Sequence, residues 1–525
     1  MNSRTVFTLL FSLLSLVASS QAKLRRMPQN LNHPAINNSA PFISLDGNSM
    51  VYIADVGEDN GLTMNYTTRN GVNWADPVTM PKIVNGRLNF LKGYALSPDG
   101  KTLYISNMKS NGMGGFDIYS SQLNGTRWEE PVNMLLPINS KSHDACPSLS
   151  LDGSVMFYMR CEKMDFNNAG NCRILMMKKK LNGQWDTPQE LPSFINTGNS
   201  QTPRIMGDGE ILIFSSDRLT PNKGGMDLYV TRLVNGTWSR PEALEFANTK
   251  EDDQYVSATS AGMYLVRDSR GQRSNELVEM LFPAEVRPKG TLKIDGKVAG
   301  PPDLSSSFVT VFNMTDQTKA FSTRPNADGS FVAYMNYGSW YDLSIEPAQD
   351  NYSFYSKVYD LRAEGSPMLE RVEATLLPLT TGMIIDLEGV QFGPASTSIS
   401  SSSKQELRRL VRLIQGNPGR SFGIEVTLQG YRRDSVRSDS DLTEIAYDTI
   451  RIPITYQVDS VTTATPDSII VKPWYHNDRT LAQAKAIATS LLQEGIPQGR
   501  IASSGKAIGE ALTEKRRTFV QVIAH

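Results

Sequence analysis

The chain has 525 residues, 39% of them hydrophobic and 20% charged, and its 53 basic and 54 acidic side chains give a formal net charge of −1. That length exceeds what one hydrophobic core serves, so about three domains are expected. A near-neutral chain with no basic block among aromatics gives no field for nucleic acid or an anionic membrane surface, and no nucleic-acid partner is expected.

Residues 1–22 stand apart. Arg4 precedes the apolar run Val6 to Ala18, and small residues continue through Ala22. This is the layout of a cleaved secretory signal peptide, and the run is too short for a good membrane span. No cysteine near the cleavage region could carry a lipid anchor. An exported, soluble mature protein is therefore expected. Its cysteines, Cys146, Cys161 and Cys172, agree with an oxidising compartment. Cys161 ends one strand-like run and Cys172 opens the next, so a hairpin would allow a Cys161–Cys172 disulfide; three buried thiols are the other reading.

The next section is repetitive. SLDGNSMVYI, SPDGKTLYIS, SLDGSVMFYM and GDGEILIFSS carry Asp46, Asp99, Asp152 and Asp208 at spacings of 53, 53 and 56 residues, and SAGMYLVRDS continues the series. Each Asp-Gly precedes a Trp-x-x-Pro segment with Trp74, Trp128, Trp185 or Trp238 in register. Short alternating strands with Gly-bearing turns at this period predict a β-propeller of five four-stranded blades over residues 23–283. The fifth repeat lacks its Trp-x-x-Pro strand. The segment 27–37 matches the residues that come after that motif in the other repeats, so it is expected to complete the last blade. Asp-Gly reads as a turn requiring positive φ, and Asp117 and Asp227, in GGFDIY and GGMDLY, read as strand-entry residues. These repeats resemble the PD40, or TolB-like, propellers of exported bacterial proteins.

From 286 to 370 the period stops. GTLKIDGKVAG, FVTVFNMTD, NADGSFVAYMNYGSWYDLSIEP and YSFYSKVYDL are short strands between turns. Phe331, Tyr334, Trp340, Tyr341 and Tyr355 alternate at strand spacing and are expected in the core. This stretch resembles the carboxypeptidase regulatory-like β-sandwich, which carries no catalytic residues.

The last section, 380–525, reads as α/β. IIDLEGVQFG is a strand. A helix comes next, with Ser403 and Glu406 as a capping box and Leu407, Leu410, Val411, Leu413 and Ile414 on its apolar face. FGIEVTLQGY is a strand, Thr480 opens a second helix with Gln483 in the capping position, and RRTFVQVIA closes as a strand. The order resembles the OmpA C-terminal-like, peptidoglycan-associated domain, with an insertion over 432–475 that holds a further strand at 451–458. In that family an Asp after Gly-Tyr takes the amine of diaminopimelate, and a helix Arg takes its carboxylate. Here the Asp position falls on Arg433 with Asp434 one place late, the Arg position on Lys485, and the Asn before the helix on Asp478. Arg433 would repel an ammonium, whereas a shifted loop would let Asp434 serve, and Lys485 keeps the charge without the planar fork.

No nucleotide loop presents itself, and four histidines offer neither a Ser-His-Asp order nor metal spacing. Neither cofactor nor metal is expected. The domain order resembles the propeller and OmpA-like periplasmic protein associated with the Bacteroidota type 9 secretion system, without its tetratricopeptide region. The resemblance implies a non-catalytic periplasmic scaffold associated with the outer membrane. Its propeller would bind an outer-membrane or secretion-machinery protein, and its last domain would contact peptidoglycan. The competing expectation is a glycan- or peptide-active hydrolase in the propeller depression, with Asp144, Asp252 and Asp253 as candidate carboxylates.

Overall fold

A computed structural model of the chain describes residues 24–523, apart from 56–60, 86–92, 111, 166–167, 181, 272, 364–367, 441, 459–460 and 511–514. The signal-like stretch 1–22 lies outside the described residues. The chain divides into two compact units, one running to Thr291 and one beginning at Leu292.

The first unit is built from five antiparallel sheets in chain order. They open with Asn37–Ile43, Tyr94–Leu96, His143–Leu149, Ser200–Ile205 and Ser257–Ala258. These opening strands face one another, the arrangement of a β-propeller. The Tyr94 hydroxyl donates to Ala40 O, Ile43 N donates to Ser257 Oγ, and Ile205 N donates to Ser148 Oγ.

The Asp-Gly pairs are turns. Gly47, Gly100, Gly153 and Gly209 hold φ of +76°, +69°, +67° and +68°, a region open to glycine and costly for most residues. The preceding Asp accepts the amide two residues on in every case: Asn48, Lys101, Ser154 and Glu210, at 3.0 to 3.1 Å. In three of the turns a serine two residues earlier, Ser44, Ser97 or Ser150, also donates to that carboxylate. The tryptophans bind sheet to sheet. Trp128 meets Tyr66 of the preceding sheet edge to face at 5.6 Å, and Trp238 meets Phe157 of the preceding sheet at 5.8 Å.

A series of asparagines does in every sheet what no backbone group does. Asn85, Asn139, Asn196 and Asn248 each accept, at 2.8 Å, the amide of a residue on the third strand: Met64, Ile118, Ile174 and Leu228. The fifth member comes from the other end of the unit. Asn32 accepts from Leu277 N at 2.7 Å and donates back to Leu277 O at 2.9 Å. The three-residue strand Leu24–Arg26, just ahead, pairs with Val278 to Met280 and becomes the outer strand of the last sheet. The expected closing segment 27–37 thus supplies the asparagine, while the strand itself lies just before it.

Cys161 and Cys172 sit opposite each other in one hairpin, Cα to Cα 4.0 Å, and form a disulfide. Cys146 keeps its thiol and is buried. The disulfide closes a loop of 11 residues in sequence separation. Replacing both partners with alanine is expected to lower stability by about 2–3 kcal/mol, read as a shift of the urea midpoint under non-reducing conditions. An unshifted midpoint would mean that the hairpin ladder alone restrains these strands.

In the second unit, a three-stranded sheet (Ser330–Asn336, Thr291–Ala299, Leu369–Thr375) and a four-stranded sheet (Thr318–Thr323, Phe308–Asn313, Trp340–Glu346, Tyr355–Asp360) enclose one apolar core. Phe331 and Tyr341 are buried in it. Trp340 is not: it stays half-exposed under the Arg362 guanidinium, 4.9 Å away. The pleat turns Tyr341 into this core, so Trp340 lies on the opposite face of the sheet.

A second sheet system lies beyond it in the chain, ordered Ile384–Asp386, Lys515–Ile523, Ser421–Tyr431, Ile501–Glu510, with helices Lys404–Gly416 and Thr480–Gln493 packed on its core. Ile501–Glu510, parallel to Ser421–Tyr431, is a strand beyond those expected from the sequence. Two further expectations need correction. Ser403 and Glu406 do not form a capping box: Ser403 Oγ donates to Gln391 O, and Glu406 is buried against Arg409. Gln483 does not cap the second helix either. The cap position falls on Arg479, which makes no side-chain cap bond; Asp478, one place earlier, accepts Thr480 N and Oγ1 at 3.0 and 2.8 Å, while Gln483 is buried and donates to Ser396 O. The insertion forms a long ribbon of two strands, Thr443–Val458 and Val461–His476, rather than a single one.

Candidate functional site

The centre of the first unit is where its opening strands meet. At one equivalent position in each, Ala40, Gly93, Cys146, Thr202 and Tyr255 have φ of 48°, 100°, 52°, 48° and 54°. Three of the sheets shift register at this point, so the bend is a bulge repeated by sheet. Gly93 is fixed by contact, since a Cβ there would lie 2.2 Å from Cys146 Sγ. A buried arginine fills the space between the strands. Arg204 donates to Pro203 O at 3.0 Å and to Pro147 O and Tyr94 O at 3.2 Å, and lies over the Phe42 ring at 4.9 Å. Burial pushes its pKa down, and Nε has no hydrogen-bond partner among the described residues.

Of the three candidate carboxylates, Asp144 and Asp253 are buried in the fold and Asp252 is exposed. Asp144 is fully buried and accepts Ser140 N, Ser140 Oγ and Arg160 Nε at 2.7, 2.7 and 2.6 Å. Burial pushes its pKa up, while Ser140 and Arg160 pull it down. Asp253 repeats the device with Thr249 N, Thr249 Oγ1 and Arg267 Nη2 at 2.5, 3.2 and 2.7 Å. Asp252 accepts Met226 N at 2.8 Å, the place His143 Nδ1 takes for Phe116 N at 3.2 Å. A small cavity of about 150 Å³ opens beside Asp252, Tyr255 and Asp268. Asp117 and Asp227 are buried as well, each accepting two amides of the Gly-rich turn before it.

In the second unit Arg433, Asp434 and Asp478, three of the four residues singled out for a diaminopimelate pocket, lie at the base of the ribbon. Arg433 and Asp434 pair with His476 and Tyr475. The Arg433 guanidinium lies over the Trp474 indole at 4.5 Å, a cation–π contact in which the ring's negative face attracts its charge. Asp434 accepts Val436 N at 3.0 Å, and that hydrogen bond holds its pKa below the usual carboxylate range. Asp478 serves the helix start, and the Lys485 side chain is exposed on the same helix. His476 lies among Asp478, Arg433 and Arg479, and burial is the main cause of its lowered pKa. Asn477, one place before Asp478, is fully buried and accepts Arg432 N at 2.7 Å, pinning the start of the insertion to its end. Among the described residues no group of three or more His, Cys, Asp or Glu side chains is placed to hold a metal ion.

No family model matches the chain, and no curated protein matches it. Among solved structures it is similar to a TolB chain of Agrobacterium tumefaciens, at 18% identity and a TM-score of 0.28, over 57% of this chain and 90% of that one. A TolB of Acinetobacter baumannii matches at 17% identity and a TM-score of 0.28, over 57% of this chain and 61% of that one. A GH43 endo-arabinanase of Bacillus licheniformis matches at 13% identity and a TM-score of 0.31, over 48% and 96%.

Proposed function

We propose that this chain is a non-catalytic adaptor of the bacterial cell envelope, exported by a cleaved signal. In this reading the five sheets are the blades of a five-bladed propeller, closed by the N-terminal segment, that grips an outer-membrane or secretion-machinery protein. The seven-strand sandwich is a spacer of the carboxypeptidase regulatory-like kind, and the last α/β domain is an OmpA-like module that contacts peptidoglycan. The observation that supports it best is the employment of Asp144 and Asp253: each is fully buried and bound by a backbone amide, a hydroxyl and an arginine, which leaves Asp252 as the one exposed carboxylate of the three candidates. Glycoside hydrolysis needs one carboxyl free to give a proton and another free to attack or activate water.

The test is a mild-detergent pull-down of the tagged protein from envelope fractions, with sedimentation on purified sacculi beside it. Co-purification of an envelope protein and pelleting with sacculi are expected. The adaptor reading fails if the protein does neither, and hydrolysis of a cell-surface glycan or peptide by the purified protein would replace it.

Lys485→Ala and Asp434→Ala test the rewritten pocket. Lys485 is exposed, so its loss leaves the fold intact, and removing one charge-assisted contact is expected to weaken sacculus binding about tenfold. Undiminished pelleting of both variants would move the wall contact elsewhere.

A further inference from the structure

The second unit holds a groove of about 400 Å³ between its two helices, lined by none of the residues at the ribbon base. One rim is a ridge of three exposed cations, Lys404, Arg408 and Arg412, at i, i+4 and i+8 of one helix. Leu407 and Val411 line the wall half-buried, Leu491 of the second helix lies buried at the floor, and the exposed Glu494 at the end of that helix is the one acidic side chain of the lining, against three cations. Lys404 occupies the first turn of its helix, where the macrodipole is already positive and a cation is disfavoured. The acidic residue of that turn, Glu406, offers no relief because it is buried and bound to Arg409. Arg412 pairs with Glu346 at 2.5 Å. Lys404 and Arg408 have no carboxylate within 4.0 Å among the described residues.

We propose that this groove docks an acidic amphipathic helix of a partner protein. Cations four residues apart recur about every 6 Å along the ridge, the repeat at which carboxylates recur along one face of a partner helix. An apolar side chain of that helix would enter between Leu407 and Val411, the helix-in-groove mode of recognition. Concavity favours a peptide over a bilayer surface, because a flat array of headgroups reaches the ridge but not Leu491. The proposal is independent of both the propeller and the peptidoglycan contact.

The test uses the full mature protein and a labelled 18-residue helical peptide of Ala, Leu and Glu with glutamate at every fourth position, read by fluorescence anisotropy at about 0.15 M salt. Its counterparts are the same peptide with Gln for Glu, and a scrambled peptide of equal charge without an apolar face. Micromolar binding of the first peptide is expected. The double variant Lys404→Glu, Arg408→Glu and both counterpart peptides are expected to bind about tenfold or more weakly. Both substitutions are at exposed positions, and an unchanged circular dichroism melt shows that the variant is folded. Equal binding by the variant, by the Gln peptide or by the scrambled peptide overturns the proposal, as does no binding of the acidic peptide at 1 mM. Sedimentation with phosphatidylglycerol vesicles that the acidic peptide does not compete away also overturns it, in favour of a lipid surface.

Discussion

Replacing Arg204 with alanine is expected to destabilise the first unit by about 3–5 kcal/mol. The side chain reaches four sheets at once: Pro203 O in its own, Pro147 O and Tyr94 O in two others, and the Phe42 ring in a fourth. Truncation leaves three buried carbonyls without their donor, at about 1–3 kcal/mol each before relaxation, and opens a void in a densely packed centre. Arg204→Lys is expected to recover only part of the loss, because an ammonium cannot reproduce the planar fork that reaches three acceptors. The measurement is native-state hydrogen exchange on Ser200–Ile205 and Tyr94–Leu96 in the full chain. Protection should fall by about two to three and a half orders of magnitude, at about 1.4 kcal/mol per tenfold. A loss below about 1 kcal/mol would mean that water replaces the guanidinium and the centre is wet.

Arg409→Ala is expected to cost the second unit a similar amount, about 3–5 kcal/mol, for an electrostatic reason. Arg409 donates to both Asp342 oxygens at 2.6 and 2.8 Å and to Glu406, all three side chains being buried, and so ties the sandwich strand Trp340–Glu346 to the helix Lys404–Gly416. One cation against two carboxylates leaves an excess negative charge in a dry place. Burial accordingly pushes the Glu406 pKa up, with Arg409 opposing and Asp342 reinforcing the shift. A carboxyl raised in the folded state contributes stability that is present below its unfolded pKa and lost as pH rises through the folded one. Glu406→Gln keeps an acceptor for Ser356 and removes the excess charge. It is therefore expected to be neutral or stabilising, and its advantage over the native chain should grow as pH rises. Thermal denaturation across that range checks both variants. An Arg409→Ala chain as stable as the native one, or an advantage of Glu406→Gln that shrinks with pH, would contradict this assignment of charge.

Features written as local spacing were legible in the sequence. Asp-Gly turns repeat because a two-strand reversal demands positive φ, and each glycine meets that demand. The kinship of 27–37 with the segments after Trp-x-x-Pro was readable too, but its reason lay in one atom set. The shared terminal asparagine, Asn32 among five, bridges the third strand. What failed was short-range capping logic. Ser403 with Glu406 has the right spacing for a capping box, yet Glu406 is claimed by Arg409 and Ser356, partners distant in sequence or buried by tertiary packing. Asp478 reads in the sequence as a departure from a ligand pattern, and in the fold it accepts the first amide of the helix after it. The three-sheet reach of the Arg204 hydrogen bonds leaves no trace in the sequence, since an isolated arginine in a strand reads as surface.

The outer strand of the last sheet, Leu24–Arg26, has a consequence for biogenesis. It pairs with Val278 to Met280, so one of the earliest parts of the unit to be made must wait for one of the latest. Until then the last sheet has an open edge and the Leu277 amide and carbonyl lack Asn32. Such long-range closure makes folding slow, and a chain exported as proposed, threading through a membrane amino end first, benefits from that delay. The ring can lock only after the whole unit has crossed, so the final conformation is reached on the far side and not in the channel.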